Sequence, residues 1–264
     1  MKSKKIAFIN GKGGCGKTTS IFHVAGVLAH RGEKVLVIDL DKQRNTTDIM
    51  LMDSVKTHEL TVLDYMQGRA TIDEVINKAY FKSRSNAVAK YCNVDVISAD
   101  VLLEDEQQLK NVDIKDSFDN FVEEKGYTWV LIDMPPSNKT LNEICFSQMA
   151  EYVIVPFSSD IFSVSGYGDL MKTINKAREF NADLKILGIY LSRYMENCAV
   201  DKFILSQLKQ FGEMFIDVQI PLRSDIREAV MFGRPLSFYK IKSTSLSAYK
   251  KLVVTIEEKI KKFN

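Results

Sequence analysis

The chain is poor in the residues that build disulfide frameworks and metal centres. Its 264 residues include 4 cysteines and 3 histidines. The cysteines are scattered without a Cys-x-x-Cys pair, so neither a disulfide framework nor a zinc site is indicated. No histidine is paired with a nucleophile, and we expect His23, His30 and His58 to be structural. This cysteine usage is typical of a reducing compartment, so we expect a cytoplasmic protein.

The chain also lacks a dominant charge and long apolar runs. Lys and Arg total 36 against 34 Asp and Glu, a net charge of +2, so any contact with nucleic acid would need a local basic patch. No apolar run approaches the length of a membrane span. The apolar run that follows the basic residues 1–5 is too short for a signal peptide. With 45% hydrophobic and 27% charged residues, the composition is that of an ordinary globular protein.

Short apolar runs alternate with helical patterns along almost the whole chain, and no repeat or Pro/Gly/Ser-rich linker interrupts them. The predicted strands are 6–10, 34–39, 94–98, 129–133, 152–156, 185–191 and 215–220. Several are continuously apolar, as in 35–38, which is typical of strands buried on both faces of a parallel sheet. The alternation predicts a single α/β domain, 1–264, with a doubly wound, mostly parallel sheet flanked by helices.

Helices are predicted between these runs. The first, 17–31, is stopped by Gly32, and Thr61 and Thr71 are expected to cap two short helices. The other predicted helices are 101–110, 115–125, 140–148, 163–180, 201–211, 225–232 and 246–262.

A glycine-rich turn lies between the first strand and the first helix. It reads Gly11-Lys12-Gly13-Gly14-Cys15-Gly16-Lys17-Thr18-Thr19. Glycines let consecutive backbone N–H groups point at one anion, and the helix N-terminus adds partial positive charge there. Lys17 is placed to reach the β- and γ-phosphates of a nucleotide, and Thr18 to put its hydroxyl on Mg²⁺. The sequence therefore predicts a phosphate-binding loop.

Acidic residues follow two of the predicted strands. Asp39 ends the second strand, Asp41 comes two residues later, and Asp133 ends the strand 129–133. Ligands of such sheets bind outside the carboxyl ends of the strands. Phosphoryl transfer to water needs Mg²⁺ and a group that positions the water, and carboxylates can serve both needs. We therefore expect these three acids at the site.

The motifs resemble those of a known family. The early Lys12 resembles the signature lysine of the deviant Walker A motif in the ParA/MinD superfamily. The segment 39–45 resembles its Walker A′ motif, and 133–136 its Walker B motif. Similarity continues through 60–68, 152–156 and 220–235, and points to ParA-type (Soj-like) DNA-partition ATPases of the plasmid-encoded kind.

The resemblance implies a Mg²⁺-dependent ATPase, weak without its partner, that forms a sandwich dimer with ATP. It implies that Lys12 reaches the nucleotide of the second subunit, that Lys17 binds phosphate, that Asp41 positions the water, and that Thr18, Asp39 and Asp133 hold Mg²⁺. The ATP dimer would bind DNA non-specifically at the nucleoid until a small ParB-like centromere-binding protein stimulates hydrolysis. The expected nucleotide contacts are Gly11, Lys12, Gly13, Gly14, Cys15, Gly16, Lys17, Thr18, Thr19, Pro221 and Arg223.

The chain departs from the family pattern at several positions. Cys15 replaces an aliphatic residue, Lys42 replaces a proline, and Leu222-Arg223 replaces Arg-Asn. Asp225 stands where chromosomal relatives are often basic. We also expect no operator-specific DNA binding, because no long N-terminal extension with a helix-turn-helix precedes the first strand.

Basic residues near the C-terminus are candidates for DNA contacts, although each alone could be a solvated charge. They are Arg223, Arg227, Arg234, Lys240, Lys242, Lys250 and Lys251.

Other functions remain open. The last helix carries Leu252, Ile256, Ile260 and Phe263, so a MinD-like membrane-associated ATPase is the main alternative. Packing of this helix on the sheet is the competing interpretation, and we expect no stable membrane association.

An iron–sulfur carrier resembling nitrogenase iron protein would need paired cysteines, for which Cys92 and Cys145 are the available set. A small-molecule kinase is a further class, but no substrate motif supports it.

Overall fold

The computed structural model describes residues 2–54, 60–83, 88–136, 138–158, 172, 174–175 and 177–263. They build an eight-stranded sheet of order β3-β4-β2-β5-β1-β6-β7-β8. The strands are β1 (Lys4–Phe8), β2 (Val35–Asp39), β3 (Ile76–Phe81), β4 (Lys90–Ile97), β5 (Trp129–Asp133), β6 (Tyr152–Ser158), β7 (Lys185–Tyr194) and β8 (Phe215–Pro221). Only the β3–β4 pair is antiparallel in this described sheet. The predicted doubly wound, mostly parallel fold is confirmed.

Helices cover both faces of the sheet. They are α1 (Lys17–His30), α2 (Asn45–Met50), α3 (Val62–Met66), α4 (Lys115–Glu124), α5 (Lys139–Ile144), α6 (Ala199–Lys209), α7 (Ser224–Met231), α8 (Leu236–Tyr239) and α9 (Thr244–Phe263). Gly32 follows α1 with φ of 84°, a left-handed conformation that glycine adopts without strain. Thr61 caps α3 in a capping box with Asp64, as predicted.

The core consists of two apolar layers because successive strand residues point to opposite faces. In β5, Trp129 and Leu131 lie in the layer beneath α1 and α9, whereas Val130 and Ile132 lie in the opposite layer. Every residue of β5 is buried. This double burial explains the continuous apolar runs of the central strands.

The last helix packs on the body of the protein. The α9 residues Leu252, Ile256 and Ile260 are buried, and the helix contacts α1 and β8. Three of the four residues of its apolar stripe are therefore covered, in agreement with the packing interpretation, whereas the fourth, Phe263, is 44% exposed. No helix in the described ranges combines the length and the apolar character needed to cross a membrane.

Several element predictions are wrong in type. Thr71 does not start a helix: its hydroxyl and N–H bond the Glu74 carboxylate in a turn, and the antiparallel strand β3 follows. The segment 101–110 forms two 3₁₀ turns, Val101–Glu104 and Glu106–Leu109, each opened by an aspartate that accepts a backbone N–H. Beyond α5 the chain continues as a π-helical turn, Cys145–Met149. Most of the predicted helix 163–180 lies outside the described residues, as do His58 and Ser137.

Candidate functional site

The glycine-rich turn joins β1 to α1, as predicted. Gly14 and Gly16 have φ of 76° and 89°, so a side chain at either position would be strained. Asn10 braces the turn: its Oδ1 accepts the Lys12 N–H at 3.0 Å, and its Nδ2 donates to the Pro156 carbonyl at 2.8 Å. The backbone N–H groups at the start of α1 are thereby held at the mouth of a cavity.

This cavity has a volume of about 430 Å³ and lies at the carboxyl ends of the strands. Residues 13–20 of the turn and α1 form one wall, and the segment 220–223 after β8 contributes to the opposite wall. Lys17 lines the cavity while only 6% exposed, so its charge is placed within it. Asp41 also lines it, with Gln43 and Asn45. Most of the predicted nucleotide contacts, including Pro221 and Arg223, are therefore brought together.

Asp133 lies beneath the start of α1. Its Oδ2 accepts the hydroxyls of Thr18 and Thr46, each at 2.6 Å. Its Oδ1 is buried and has no hydrogen-bond partner among the described residues. A buried carboxylate oxygen without a donor costs free energy unless a cation or a water completes it.

Asp39 lies next to Asp133 in paired register between β2 and β5. Its Oδ2 accepts the N–H and the hydroxyl of Thr47, both at 2.8 Å, and its Oδ1 accepts the Asp41 N–H at 3.0 Å. Burial, and after it the neighbouring charge of Asp133, raises the pKa of Asp39 to about 7. Burial also raises the pKa of Asp133, against the hydrogen bonds from Thr18 and Thr46. Two buried carboxyls that repel each other form a site suited to a cation.

These donors fit a magnesium ion carried by a nucleotide rather than a metal held by protein alone. The described ranges contain no cluster of three or more His, Cys, Asp or Glu side chains that could hold a metal. Hydroxyl and carboxylate oxygens are the ligands that Mg²⁺ takes, usually together with phosphates and waters. Thr18, Asp39 and Asp133 would hold it directly or through its waters.

The segment that carries Asp41 is clamped to the end of β4. Asp41 Oδ1 accepts the Gln43 N–H at 3.0 Å. Arg44 adopts φ of 56°, and its guanidinium donates to the Ala99 carbonyl. Lys42, the departure from the family's proline, forms an ion pair with Glu104. These contacts fix the backbone on either side of Asp41.

Two hydroxyl-bearing residues of the site were not predicted from the sequence. Thr46 shares Asp133 with Thr18. The Ser192 hydroxyl lies 2.6 Å from the Cys15 carbonyl and 3.0 Å from the Phe157 carbonyl, so it joins the end of β7 to the phosphate loop. Thr46 lies one residue beyond the Walker A′ segment and could have been noticed, whereas the sequence around Ser192 contains no comparable signal.

Some of the predicted residues do not line the cavity. Gly11 and Lys12 are not among its described lining residues. Cys145 lies in the core layer opposite the one that Cys92 packs against, so these two cysteines do not form a cluster ligand pair. His23 is buried, its Nδ1 accepts the Leu236 N–H, and burial lowers its pKa to about 3.

The basic C-terminal candidates do not form one free stripe. Lys240 is paired with Glu228 at 2.7 Å, and Lys251 donates to the Asp217 carbonyl at 2.8 Å. Arg223 and Arg227 line the cavity instead. Asp225 accepts the hydroxyls of Ser243 and Ser245, which ties α7 to the start of α9.

Comparisons with known proteins agree with this geometry. A family model described as an AAA domain matches residues 3–186. The chain is 30% identical over 257 residues to the chromosome partitioning protein ParA of Caulobacter vibrioides, covering 94% of this chain and 91% of that protein. It is 30% identical over 259 residues to the chromosome-partitioning ATPase Soj of Treponema pallidum, covering 94% and 95%.

A solved structure shares the fold. The septum site-determining protein MinD of Pyrococcus horikoshii, complexed with Mg-ADP, matches with a TM-score of 0.74 and 24% identity over 99% of each chain. At this identity the match establishes the architecture alone.

Proposed function

Because the chain belongs to the AAA-domain family that includes the ParA and Soj partition ATPases, we propose that it is a DNA-partition ATPase that hydrolyses ATP to ADP and phosphate with Mg²⁺. The observation that carries this proposal is the meeting of Thr18, Thr46 and Asp133 beneath the phosphate loop, with Asp133 Oδ1 left unpaired. The buried carboxyl pair, Asp39 and Asp133, would have no function beneath a glycine-rich turn that binds no ligand.

The cavity residues divide the work of hydrolysis. The N–H groups of 13–19 and the Lys17 ammonium would bind the phosphates, because both offer donors and positive charge where the phosphates lie. When bound, Mg²⁺ would neutralise charge that develops on the transferred phosphoryl group. Asp133 would keep the Thr18 hydroxyl oriented by accepting its hydrogen bond. Asp41, held by Gln43 on one side, would accept a hydrogen bond from the attacking water and position it.

The partition cycle extends this proposal to partners. Lys12 occupies the position of the family's signature lysine and directly precedes Gly13 of the cavity wall, and we propose that it contacts the nucleotide of a second subunit. ATP would thus join two chains, and the dimer would bind DNA non-specifically through basic residues such as Lys242 and Lys250, both exposed. A ParB-like protein would stimulate hydrolysis and release the DNA.

Paired variants test the ATPase. We expect Lys17→Ala to lose ATP binding, because it removes the buried cation of the cavity. We expect Asp41→Ala to bind ATP but to lose at least 90% of its turnover, since general positioning groups contribute on the order of 10²-fold or more. Calorimetry with MgATP and phosphate release measure the two properties. Unchanged turnover in both variants would contradict the proposal.

Assembly is tested on the same proteins. Light scattering of the eluting protein should show a dimer with ATP and a monomer with ADP, and Lys12→Ala should stay monomeric with ATP. A Lys12→Ala variant that dimerises normally would contradict the role of Lys12.

A MinD-like membrane ATPase is the second candidate, because Phe263 at the end of α9 is 44% exposed. Burial of Leu252, Ile256 and Ile260 against the body counts against a membrane-binding α9. Pelleting with anionic liposomes in the presence of ATP distinguishes the two, and we expect no co-sedimentation.

A further inference from the structure

The short segment 41–45 has one side toward the cavity and another toward the end of β4. The residues of this segment that line the cavity alternate along the chain, and they are Asp41, Gln43 and Asn45. Arg44 contacts the other side, where its guanidinium donates to the carbonyl of Ala99, two residues beyond the end of β4. The segment therefore presents Asp41 to the cavity while Arg44 ties it to the sheet.

Ala99 is a fixed anchor for this arginine. It is fully buried, and its N–H donates to the Thr47 hydroxyl at 3.0 Å. The Thr47 hydroxyl in turn donates to Asp39 Oδ2 at 2.8 Å. Both the N–H and the C=O of Ala99 are thus bonded to the chain that follows β2, so the end of β4 and the start of α2 are held together.

The remaining contacts around Asp41 are local or exposed. The Arg44 N–H donates to the Asp41 carbonyl at 2.8 Å and closes a turn, inside which Asp41 Oδ1 accepts the Gln43 N–H. Lys42 also reaches outward, but the side chain of its partner Glu104 is 69% exposed, and exposed ion pairs stabilise little. A hydrogen bond from a charged donor to a buried carbonyl is stronger. Among the described contacts, the bond from Arg44 to Ala99 is therefore the main link between this turn and the sheet.

We propose that Arg44 is a positioning residue for hydrolysis: its bond to the Ala99 carbonyl holds the turn 41–44 so that the Asp41 carboxylate is oriented toward the attacking water. The inference rests on the proposed function, from which it takes the role of Asp41. A shift of the turn would move the Gln43 N–H and turn the carboxylate that it holds. Since a misplacement of about 1 Å can slow a reaction about a hundredfold, Arg44 controls the rate without touching the nucleotide.

Single-turnover hydrolysis of MgATP, and calorimetry with the magnesium complex of the non-hydrolysable analogue AMPPNP, separate positioning from binding. Arg44→Gly removes the guanidinium, and glycine adopts the φ of 56° at this position without strain. We expect hydrolysis to be about tenfold slower. The affinity for the analogue should not change, because Arg44 is not among the described residues that line the cavity. An unchanged affinity also shows that the variant is folded.

A double-mutant cycle tests whether Arg44 acts through Asp41. Asp41→Ala has already lost the carboxylate that Arg44 positions, so adding Arg44→Gly should slow hydrolysis no further. Independent residues would instead multiply their effects.

Two more variants complete the design. Arg44→Met keeps a long unbranched side chain without a hydrogen-bond donor, so it should be as slow as Arg44→Gly, and it carries the test if Arg44→Gly does not fold. Asn111→Gly is the matched control, because it also places glycine at a positive φ, 60° in the protein, at an exposed position. It should leave the rate and the affinity unchanged.

The outcomes are distinct. Normal hydrolysis in either Arg44 variant, or an equal loss in Asn111→Gly, would overturn the inference. Weaker binding of the analogue in both Arg44 variants would make Arg44 a nucleotide contact and would also overturn it. A further loss in the double variant would show that Arg44 acts independently of Asp41, so the inference would fail while the ATPase stands. If the unaltered protein does not hydrolyse ATP, the proposed function fails and the inference fails with it.

Discussion

Replacing Asp133 by asparagine separates the charge of this carboxylate from its hydrogen bonds. An amide oxygen in place of Oδ2 keeps the bonds from Thr18 and Thr46, and the amide nitrogen takes the place of Oδ1, which has no partner among the described residues. The variant should therefore remove the repulsion with Asp39 at little cost in packing. We expect the protein without ligands to become more stable while its ATP turnover is lost.

The pKa of Asp39 sets the magnitude. Burial, and secondly the charge of Asp133, raise this pKa from 3.8 to about 7. At about 1.4 kcal/mol per pKa unit, the shift corresponds to roughly 4 kcal/mol of unfavourable free energy above pH 7. Because burial is the larger cause, we assign only about 1–2 kcal/mol of this unfavourable free energy to the charge of Asp133. Removing that charge should therefore raise the melting temperature of Asp133→Asn by a few degrees.

The sign of the pH dependence follows from the direction of the shift. A carboxyl with a raised pKa binds protons more tightly in the folded protein than in the unfolded chain, so its unfavourable contribution grows as the pH rises from about 4 to 7. The gain in unfolding free energy of Asp133→Asn over the unaltered protein should therefore be complete at pH 8. It should be largely absent at pH 5, where Asp39 is already protonated.

Urea unfolding at these two pH values, with EDTA and without nucleotide, is the assay. The single tryptophan, Trp129, is buried in β5 and reports unfolding by fluorescence. Asp183→Asn, which removes an exposed carboxylate, is the matched control and should change neither value. A variant less stable than the unaltered protein at pH 8, or equally stabilised at both pH values, would refute the reasoning.

Two further predictions concern the packing around the site. A Cβ on Gly26 of α1 would lie 2.3 Å from the Pro235 Cβ, so Gly26→Ala should cost about 1–3 kcal/mol in urea unfolding; an unchanged midpoint would show that α1 can shift freely. Asp225→Ala should cost about 1–3 kcal/mol at pH 7 because it removes the acceptor for Ser243 and Ser245. Burial tends to raise the pKa of Asp225, but these hydrogen bonds outweigh it and hold the pKa below its usual value. The difference in unfolding free energy between the variant and the unaltered protein should therefore shrink as the pH falls below about 4. A difference that does not change with pH would contradict this prediction.

Features that depend on neighbours in the chain were predictable. The central strands and α1 were predicted within two or three residues, because burial on both sheet faces leaves a continuous apolar run. The capping box at Thr61 is a pattern of four residues. Thr71 shows the limit of such patterns: it makes the same kind of bond to Glu74, yet pairing with β4 draws the following residues into a strand.

The sequence by itself determined the phosphate loop, the central strands with α1, and the acids at or just after the ends of β2 and β5, because each is encoded within a few consecutive residues. Only the tertiary structure decided which distant groups complete the cavity. Ser192 meets Cys15 across 177 positions, and Thr46 meets Asp133 across 87. Such contacts depend on the order and register of strands in the sheet, and no local pattern of side chains records which strands become neighbours.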